Sequence, residues 1–267
     1  MKYEKIKPHV SISHLVHFFW DFEGDFTESC ESSHLSVASV SPKLAFQYIP
    51  GMKINKDGSS NNLFVSGIQS QTNDFYELSA NKKVAIFGVY FQPYAISYLF
   101  NVSAAEITNR NIAIADFLGK EGVLLEERIM NCLNTAERIN IITSFIEKKS
   151  RDLSPNLKMT MHSVGCLNRN SGNLKIQDLL RSHFLSQRQF ERNFKFYTGF
   201  SAKYFSRIVR FEKSIVIAYG QHHSTLTKLA LGSGYFDQAH MVRDYKEFTG
   251  KNPSAYFSED QSLFVEE

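Results

Sequence analysis

The chain has little cysteine. Its 267 residues include only three, Cys30, Cys132 and Cys166, which lie far apart. An odd number of widely spaced cysteines excludes a disulfide framework and a cysteine-rich zinc site, and it suits a reducing compartment. No run approaches 18 apolar residues, and the first residues, MKYEKIKPHVSISH, lack the apolar centre of a secretory signal. We therefore expect a cytoplasmic protein with no membrane contact.

The sequence also lacks the residue patterns of common catalytic and cofactor sites. It contains no phosphate-binding loop, no Ser-His-Asp set and no reactive-cysteine context. The histidines of the front half, His9, His14, His17 and His34, lack an H-x-H pattern with a matched downstream His or Glu. We therefore expect no catalytic residue, no metal and no cofactor.

Aromatic residues are abundant, and the charge is uneven. A hydrophobic content of 43%, with 23 Phe and 12 Tyr, argues for packed cores and against disorder. Residues 1–153 carry 15 Lys and Arg against 17 Asp and Glu, whereas residues 154–257 carry 15 against 6, a net charge of +9. A basic C-terminal part suggests a polyanion partner such as double-stranded DNA. A solvated basic surface is the alternative.

The pattern along the chain predicts an α+β protein. Residues 10–100 are expected to form mainly short strands, in VSISHLVHFFWDF, SPKLAFQYIP, NNLFVSGI and KVAIFGVYF, with turns in PGMKINKDGSSNN and SANKK. From about residue 94 the spacing becomes helical. The segment RDLSP at 151–155 looks like a boundary, because Ser154 is a good N-cap before Pro155. We expect a β-rich domain over 1–121, a helical dimerisation or linker region over 122–153, and an all-α domain over 154–260.

Helices are expected throughout the C-terminal domain, over 155–168, 175–183, 187–197, 202–219, 225–231 and 238–248, with a last turn from Pro253. In the region before it, Asn134 with Glu137 forms a capping box. Two apolar stripes cross residues 122–149, one with Ile129 and Leu133 and one with Ile142 and Ile146. Packing within the subunit and dimerisation are equal alternatives for these stripes.

Two C-terminal stretches align without gaps at an offset of 51 residues. Residues 185–205 are LSQRQFERNFKFYTGFSAKYF, and residues 236–257 are FDQAHMVRDYKEFTGKNPSAYF. Arg192 aligns with Arg243, Lys195 with Lys246, and both stretches contain Thr-Gly. A chain that builds the same polar-faced helix twice is expected to use both copies for one purpose.

In the first copy, Ser186 and Gln189 predict a capping box at the start of helix 187–197. Phe190, Phe194 and Tyr197 form its apolar stripe. The opposite face carries donor-rich side chains that can bond DNA bases, namely Gln187, Arg188, Glu191, Arg192 and Lys195. Pairing of Glu191 with Arg188 or Lys195 on its own helix is the alternative for that residue.

In the second copy, Asp237 is the expected N-cap of helix 238–248. Met241, Tyr245 and Phe248 face inward, and the outward face carries Gln238, Ala239, Arg243 and Lys246. For His240 we favour local capping or packing over DNA contact. Each copy follows a short apolar helix and a tight turn, which is the helix-turn-helix order. The helix between the copies would span roughly 27 Å, and adjacent major-groove turns lie about 34 Å apart.

Residues 154–257 resemble the DNA-binding domain of the AraC/XylS family of bacterial transcription regulators. The matching elements are LSQRQFERNFK with FYTGFSAKYF, then G-Y-x-D-Q-A-H, F-T-G and P-S-x-Y-F. The resemblance implies seven helices with two helix-turn-helix motifs, and RNA polymerase and a second copy of the chain as partners. It assigns base contacts to Arg188, Glu191 and Arg192 in the first helix and to Gln238, Ala239 and Arg243 in the second. Ala239 is shorter than the polar side chains that family members can carry there.

Residues 8–118 resemble the cupin-like N-terminal domain of one subgroup, through Pro8, FFW at 18–20, GVYFQPYAISYLF at 88–100 and DFLG at 116–119. The resemblance implies a sensor domain with a small-molecule effector. Tyr94 and Ala95 stand where the subgroup tends to have glycines. Trp20, Tyr90 and Tyr94 are candidates for an apolar ligand pocket, with core packing as the alternative.

We therefore expect a sequence-specific transcription regulator that contacts two adjacent major-groove segments with helices 187–197 and 238–248. Activation is the expected mode, with repression as the alternative. One rival function is a cupin-type small-molecule or metal enzyme with an accessory helical domain. A second rival is an adaptor without a ligand that binds another protein through its front half.

Overall fold

A computed structural model describes residues 1–27, 32–181, 186–220 and 225–258. Cys30 and the predicted end of the second C-terminal helix near residue 183 lie outside these ranges. No helix within them is long and apolar enough to cross a membrane. The same ranges contain no group of three or more His, Cys, Asp or Glu that could hold a metal ion.

The front half contains two antiparallel sheets. In the first sheet the neighbours, in spatial order, are β1 (Lys2–Ile6), β2 (Val16–Gly24), β9 (Val84–Phe91), β4 (Lys43–Ile49), β7 (Ser66–Gln69) and β10 (Asn111–Ala113). In the second sheet they are β3 (Ser32–Ser36), β8 (Tyr76–Ala80), β5 (Lys53–Lys56) and β6 (Ser59–Asn62). Side chains of both sheets line one cavity, so the sheets face each other.

Every residue of β9 is buried, because this strand is central in its sheet. Gly88 pairs with Trp20 of β2. A Cβ atom at Gly88 would lie 2.1 Å from the Trp20 indole ring. The glycine in GVYF therefore makes room for this indole, which a larger residue would displace.

Two strand predictions need correction. Residues 10–15 form a turn and not the start of a strand, because the Val16 amide bonds locally to the Ile12 carbonyl at 2.9 Å. The stretch predicted as a turn, PGMKINKDGSSNN, contains the hairpin β5–β6. Its two strands join at Asp57 and Gly58, both with positive φ (50° and 76°). A two-residue Asp-Gly turn of this hand matches the twist of a hairpin.

Helices follow the sheets as the change of period predicted. They are α1 (Ala95–Phe100), α2 (Ala104–Ile107), α3 (Ile114–Leu118), α4 (Lys120–Met130) and α5 (Thr135–Lys149). Asn134 caps α5 by accepting from the Glu137 amide at 3.0 Å. The Glu137 carboxylate accepts from the Leu133 amide at 2.9 Å. In a complete capping box it would accept from the amide of the N-cap residue, Asn134.

The apolar stripes of α4 and α5 pack within the subunit. Ile129 and Ile142 are 0% exposed, and Leu125 and Ile146 are also buried in the chain's own core. Leu133 lies beyond the end of α4 and is 91% exposed. Packing within the subunit, and not dimerisation, therefore accounts for these buried residues, while Leu133 stays exposed.

The C-terminal part contains the seven expected helices, with ends within two residues of the predicted ones where these ends are described. They are α6 (Pro155–Arg169), α7 (Ile176–Arg181), α8 (Gln187–Thr198), α9 (Ala202–Gly220), α10 (Leu226–Gly232), α11 (Gln238–Thr249) and α12 (Pro253–Phe257). One hydrophobic cluster runs from Ile12 in the front half to Tyr256 in α12. The two halves therefore share a core.

Candidate nucleic-acid interface

Helix α8 is fixed at its start by its own sequence. The Ser186 hydroxyl accepts from the Gln189 amide, and the Gln189 side chain accepts from the Ser186 amide, each at 3.3 Å. This is the predicted capping box. Phe190 and Phe194 are fully buried, and Phe194 packs edge-on against Phe205 of α9 with ring centroids 5.3 Å apart. The start and the rotation of α8 are thereby both set.

The outward face of α8 carries most of the predicted DNA-contacting residues. Gln187, Arg188, Arg192 and Lys195 are exposed. Tyr197, which was predicted to be buried, is only half-buried, and its hydroxyl lies 3.3 Å from that of Ser154. The core below α8 thus depends on two phenylalanines, while the polar face is open to a partner.

Glu191 is engaged inside the protein. It is half-buried, and its carboxylate accepts from the Ala202 amide at the start of α9 at 3.3 Å. Among the ion pairs of the described ranges, none joins Glu191 to Arg188 or Lys195. A carboxylate at a helix N-terminus satisfies a free amide and interacts favourably with the helix dipole. The alternative pairing of Glu191 on its own helix is therefore not formed in the described ranges, and the structure gives Glu191 a capping position.

Helix α11 has the same construction as α8. Asp237 accepts from the His240 amide at 2.7 Å, as its predicted N-cap role requires. Met241, Tyr245 and Phe248 are fully buried. The Tyr245 hydroxyl lies 2.7 Å from the Ser214 hydroxyl of α9, so the buried phenol has a partner.

The outward face of α11 carries Ala239, Arg243 and Lys246, all exposed. Gln238 is half-buried, and its side-chain oxygen accepts from the Thr227 hydroxyl of α10 at 3.0 Å. The His240 ring packs edge-on against Tyr235 with centroids 5.3 Å apart. The packing role that we favoured for His240 is thus confirmed.

The cations on the two faces have no acidic partners in the described part of the chain. None of its salt bridges includes a member of this set, which consists of Arg188, Arg192, Lys195, Arg243 and Lys246. Exposed arginines and lysines without internal carboxylates keep their donors for an external anion. Both faces can therefore bind phosphates and the acceptor edges of bases.

Helices α9 and α11 are joined by a charged cluster. Arg207 donates to Asp244 at 2.8 Å and to Glu247 at 2.5 Å. Burial opposes the charge of Arg207, but these two carboxylates more than offset it, so the pKa of Arg207 lies above its usual value. Tyr204 donates to Glu247 at 2.5 Å. The bonds from Arg207 and Tyr204 also outweigh burial at Glu247, whose pKa is lowered. This cluster fixes α11 on α9.

A cavity of about 110 Å³ lies between the two sheets. Its wall is mainly apolar and aromatic and includes Trp20, Phe22, Met52, Leu78 and Ile86, while Lys43 and Gln69 supply polar groups. Two of the three ligand candidates, Trp20 and Tyr90, line it. Tyr94 does not, since it is buried beside the turn at residues 10–15 and donates to the His14 carbonyl at 2.9 Å.

A second, open cleft of about 420 Å³ lies between the front half and α9. On the α9 side it is lined by Val209, Glu212 and Lys213. Lys43 and Tyr90 line both this cleft and the cavity between the sheets. Together with His34 and Ser36, which also line both, these side chains lie between the cavity and the cleft that faces α9.

The contacts that the sequence does not predict are those of the two Thr-Gly pairs at the ends of α8 and α11. These pairs were visible as part of the repeat but were interpreted only as helix ends. Thr198 and Thr249 are buried, and their glycines contact the front half, as described below. The shared dipeptide was the available signal.

Two family models match the chain. Residues 179–259 match a family described as a helix-turn-helix domain, and residues 4–113 match one described as a domain of unknown function. No curated protein matches the chain.

Solved structures with a similar overall course include several of ToxT from Vibrio cholerae. One has 13% identity and a TM-score of 0.48, with 90% of this chain and 98% of that chain covered. A structure of ToxT bound to (E)-4-(8-methylnaphthalen-1-yl)but-3-enoic acid has 14% identity and a TM-score of 0.48 at 90% and 98% coverage. One of ToxT bound to unsaturated fatty acid has 12% identity and a TM-score of 0.47 at 93% and 98% coverage.

Proposed function

We propose that the protein is a sequence-specific transcription regulator of the AraC type that binds double-stranded DNA, since residues 179–259 match a family described as a helix-turn-helix domain. The observation that carries this proposal is the repeated polar face. Two capped helices present five cations outside any internal salt bridge of the described ranges. An arrangement of this kind serves a polyanion partner better than it serves the stability of the fold.

The side chains of the two faces divide into base contacts and phosphate contacts in this proposal. Arg188 and Arg192 of α8 and Arg243 of α11 bond base edges in the major groove. Gln187 and Gln238 add amide contacts, Lys195 and Lys246 neutralise phosphates, and Ala239 contacts a thymine methyl group. Glu191 has a structural role in this proposal, since it caps the start of α9. Helix α9 spans roughly 28 Å, which suits two docking sites about one helical turn of DNA apart.

Regulation by a small molecule is part of the proposal. The cavity between the sheets has the apolar lining with few polar groups that ligand pockets share. A ligand there would touch Tyr90 and Lys43, whose other sides line the cleft towards α9. An effector in the front half could in this way bias the placement of the DNA-binding helices.

The remaining parts of the proposal concern organisation. We take residues 1–121 as a cupin-like sensor domain, 122–153 as a helical linker and 154–260 as the DNA-binding domain. A homodimer would form through the exposed apolar side chains of the linker, Val123, Leu124 and Leu133. Activation through RNA polymerase in the cytoplasm, without an enzymatic activity, completes the proposed role.

The test is binding of the full chain to a random pool of duplex DNA, followed by salt titration of the selected sequence. We expect enrichment of one sequence and an affinity that falls steeply as salt rises, because binding releases counterions from the phosphates. Enrichment of no sequence, or an affinity independent of salt, would refute the proposal. Metal analysis and turnover assays on the same preparation test the rival enzyme function.

A further inference from the structure

The chain builds the same corner twice, at the end of each DNA-contacting helix. The Thr198 hydroxyl donates to the Phe194 carbonyl at 2.8 Å, and the Thr249 hydroxyl donates to the Tyr245 carbonyl at 2.7 Å. Each hydroxyl also lies 3.3 Å from the carbonyl two residues ahead. The next residue is a left-handed glycine in both cases, with φ of 83° at Gly199 and 72° at Gly250.

Both corners lie against one loop of the front half, residues 71–75 between β7 and β8. A Cβ atom at Gly199 would lie 2.5 Å from Nε2 of the Gln71 side chain. A Cβ atom at Gly250 would lie 2.6 Å from the Phe75 ring. Asparagine is tolerated at many left-handed helix ends, but a side chain at either position here would require Gln71 or Phe75 to shift. At both corners glycine therefore allows the close approach to the loop, in addition to the left-handed backbone conformation.

The loop is itself held firmly. The fully buried Gln71 donates to the Ala104 carbonyl at 2.6 Å and to the Thr108 hydroxyl at 3.0 Å. The Thr72 backbone exchanges two hydrogen bonds of 2.8 Å with Ser39. The Thr72 hydroxyl donates to the Asn109 side chain at 2.8 Å. A loop with this many bonds can serve as a rigid support.

The loop also contacts the helix that connects the two corners. Asn73 donates to the Tyr204 hydroxyl of α9 at 2.9 Å, and this hydroxyl donates to Glu247 of α11. Ala38 precedes Ser39, the residue that bonds to Thr72 of the loop. The Ala38 amide donates to the Phe248 carbonyl at the end of α11, at 3.4 Å. The ends of α8 and α11 and the first turn of α9 therefore meet at one place on the front half.

We propose that the loop 71–75 holds α8 and α11 in a fixed relative placement and thereby sets the spacing between the two DNA segments that the protein recognises. Gln71, Asn73 and Phe75 are positioning residues in this proposal, since they face the C-terminal ends of the helices and not the DNA. The proposal rests on the function proposed above. It makes the front half a determinant of operator geometry in addition to a sensor.

The experiment compares full-length variants on a set of duplexes in which the two selected half-sites are moved apart or together by single base pairs. One inserted base pair shifts and rotates the second half-site along the groove. For the wild type we expect a penalty on the order of tenfold per inserted pair, comparable with one mismatched base pair. For Phe75→Ala and for Asn73→Ala, which remove two contacts from the loop side, we expect this penalty to fall to about twofold or threefold on the same scale.

The matched control is Val84→Ala. Val84 is fully buried in a separate small cluster with Phe22 and Ile86, so its truncation destabilises the front half away from the loop. This variant should keep the wild-type spacing profile. If Phe75→Ala fails to fold, Asn73→Ala decides the question, because it removes the bond from the loop to Tyr204 and leaves the Tyr204–Glu247 bond in place.

The possible outcomes separate the two proposals. A wild type that binds no duplex refutes the proposed function itself. A wild type that binds but tolerates every spacing equally overturns the role of the loop. The same holds if the loop variants lose melting temperature but retain the wild-type spacing profile, because the contacts would then be structural only.

Discussion

Arg192 and Arg243 provide the sharpest test of how the two helices recognise DNA. They occupy equivalent positions of the repeat, and both are exposed. No salt bridge of the described ranges includes either of them, so truncation to alanine leaves no orphaned carboxylate in the protein. We therefore expect Arg192→Ala and Arg243→Ala to change the free energy of unfolding by less than about 0.5 kcal/mol, as at other surface positions.

The expected effect on binding is larger and local. A bidentate arginine–guanine contact contributes about 1–3 kcal/mol of discrimination, which corresponds to roughly 5- to 150-fold. Each variant should lose preference at its own base position, and the two positions should lie about one helical turn apart. Arg192→Ala should lose more specificity, because α8 also offers Arg188 whereas α11 offers the short Ala239.

The assay is the affinity of each variant for every single-base substitution of the selected operator. Lys203→Ala is the matched control, since it removes one exposed positive charge from α9 without touching either face. A phosphate contact would weaken all sequences alike and lower the salt slope by about one unit. If both arginine variants keep the wild-type preferences and differ only in that slope, the base-reading role is wrong.

Three further predictions follow from individual contacts. Glu191→Ala should lower the free energy of unfolding by about 0.5–2 kcal/mol through loss of the cap on α9, whereas Glu191→Gln should be close to the wild type. Neither variant should change the base preferences of the protein. An altered base preference in Glu191→Gln would show that Glu191 contacts a base. The folded-state pKa of Glu247 lies below its ordinary value of 4.5, so its stabilising effect is complete above that value and disappears as pH falls through the folded-state pKa. Denaturant unfolding at descending pH should show this loss of stability in the wild type and a smaller loss in Glu247→Gln. Equal losses in the two proteins would contradict the prediction. Replacing Leu124 and Leu133 together by glutamate should shift sedimentation from dimer to monomer while the circular dichroism spectrum is unchanged; a wild type that is monomeric at high concentration, with and without DNA, refutes the dimer surface.

The C-terminal domain could be predicted closely because its signals are local. A capping box at Ser186, an N-cap at Asp237 and glycines at the helix ends fix each helix within a few residues of sequence. The aromatic stripe then shows which face is buried. The loop against which the two corners pack lies more than a hundred residues earlier in the chain, and no local pattern connects Gln71 with Gly199.

The front half was predicted less well because its strands depend on remote partners. Residues 10–15 have strand-like composition, but their amides find acceptors within one turn, so no ladder forms there. The hairpin at Asp57-Gly58 was missed although Asp-Gly is a strong hairpin signal, because its strands β5 and β6 are short and polar. The stripe with Ile129 was ambiguous for a similar reason, since apolar spacing alone does not distinguish a core from an interface.

The two copies of the repeat differ in a way that clarifies the role of Glu191. At an offset of 51 residues, Glu191 corresponds to Val242, and Ala202, whose amide Glu191 accepts, corresponds to Pro253. Proline has no amide hydrogen, so the second copy has no donor at this point and needs no acceptor. The carboxylate is present where a helix begins with a free N–H and absent where it begins with proline. This difference between the two copies supports helix capping as the role of Glu191. Base recognition by α8 then depends on Arg188 and Arg192, and since Arg188 corresponds to Ala239, the two DNA half-sites should differ in sequence.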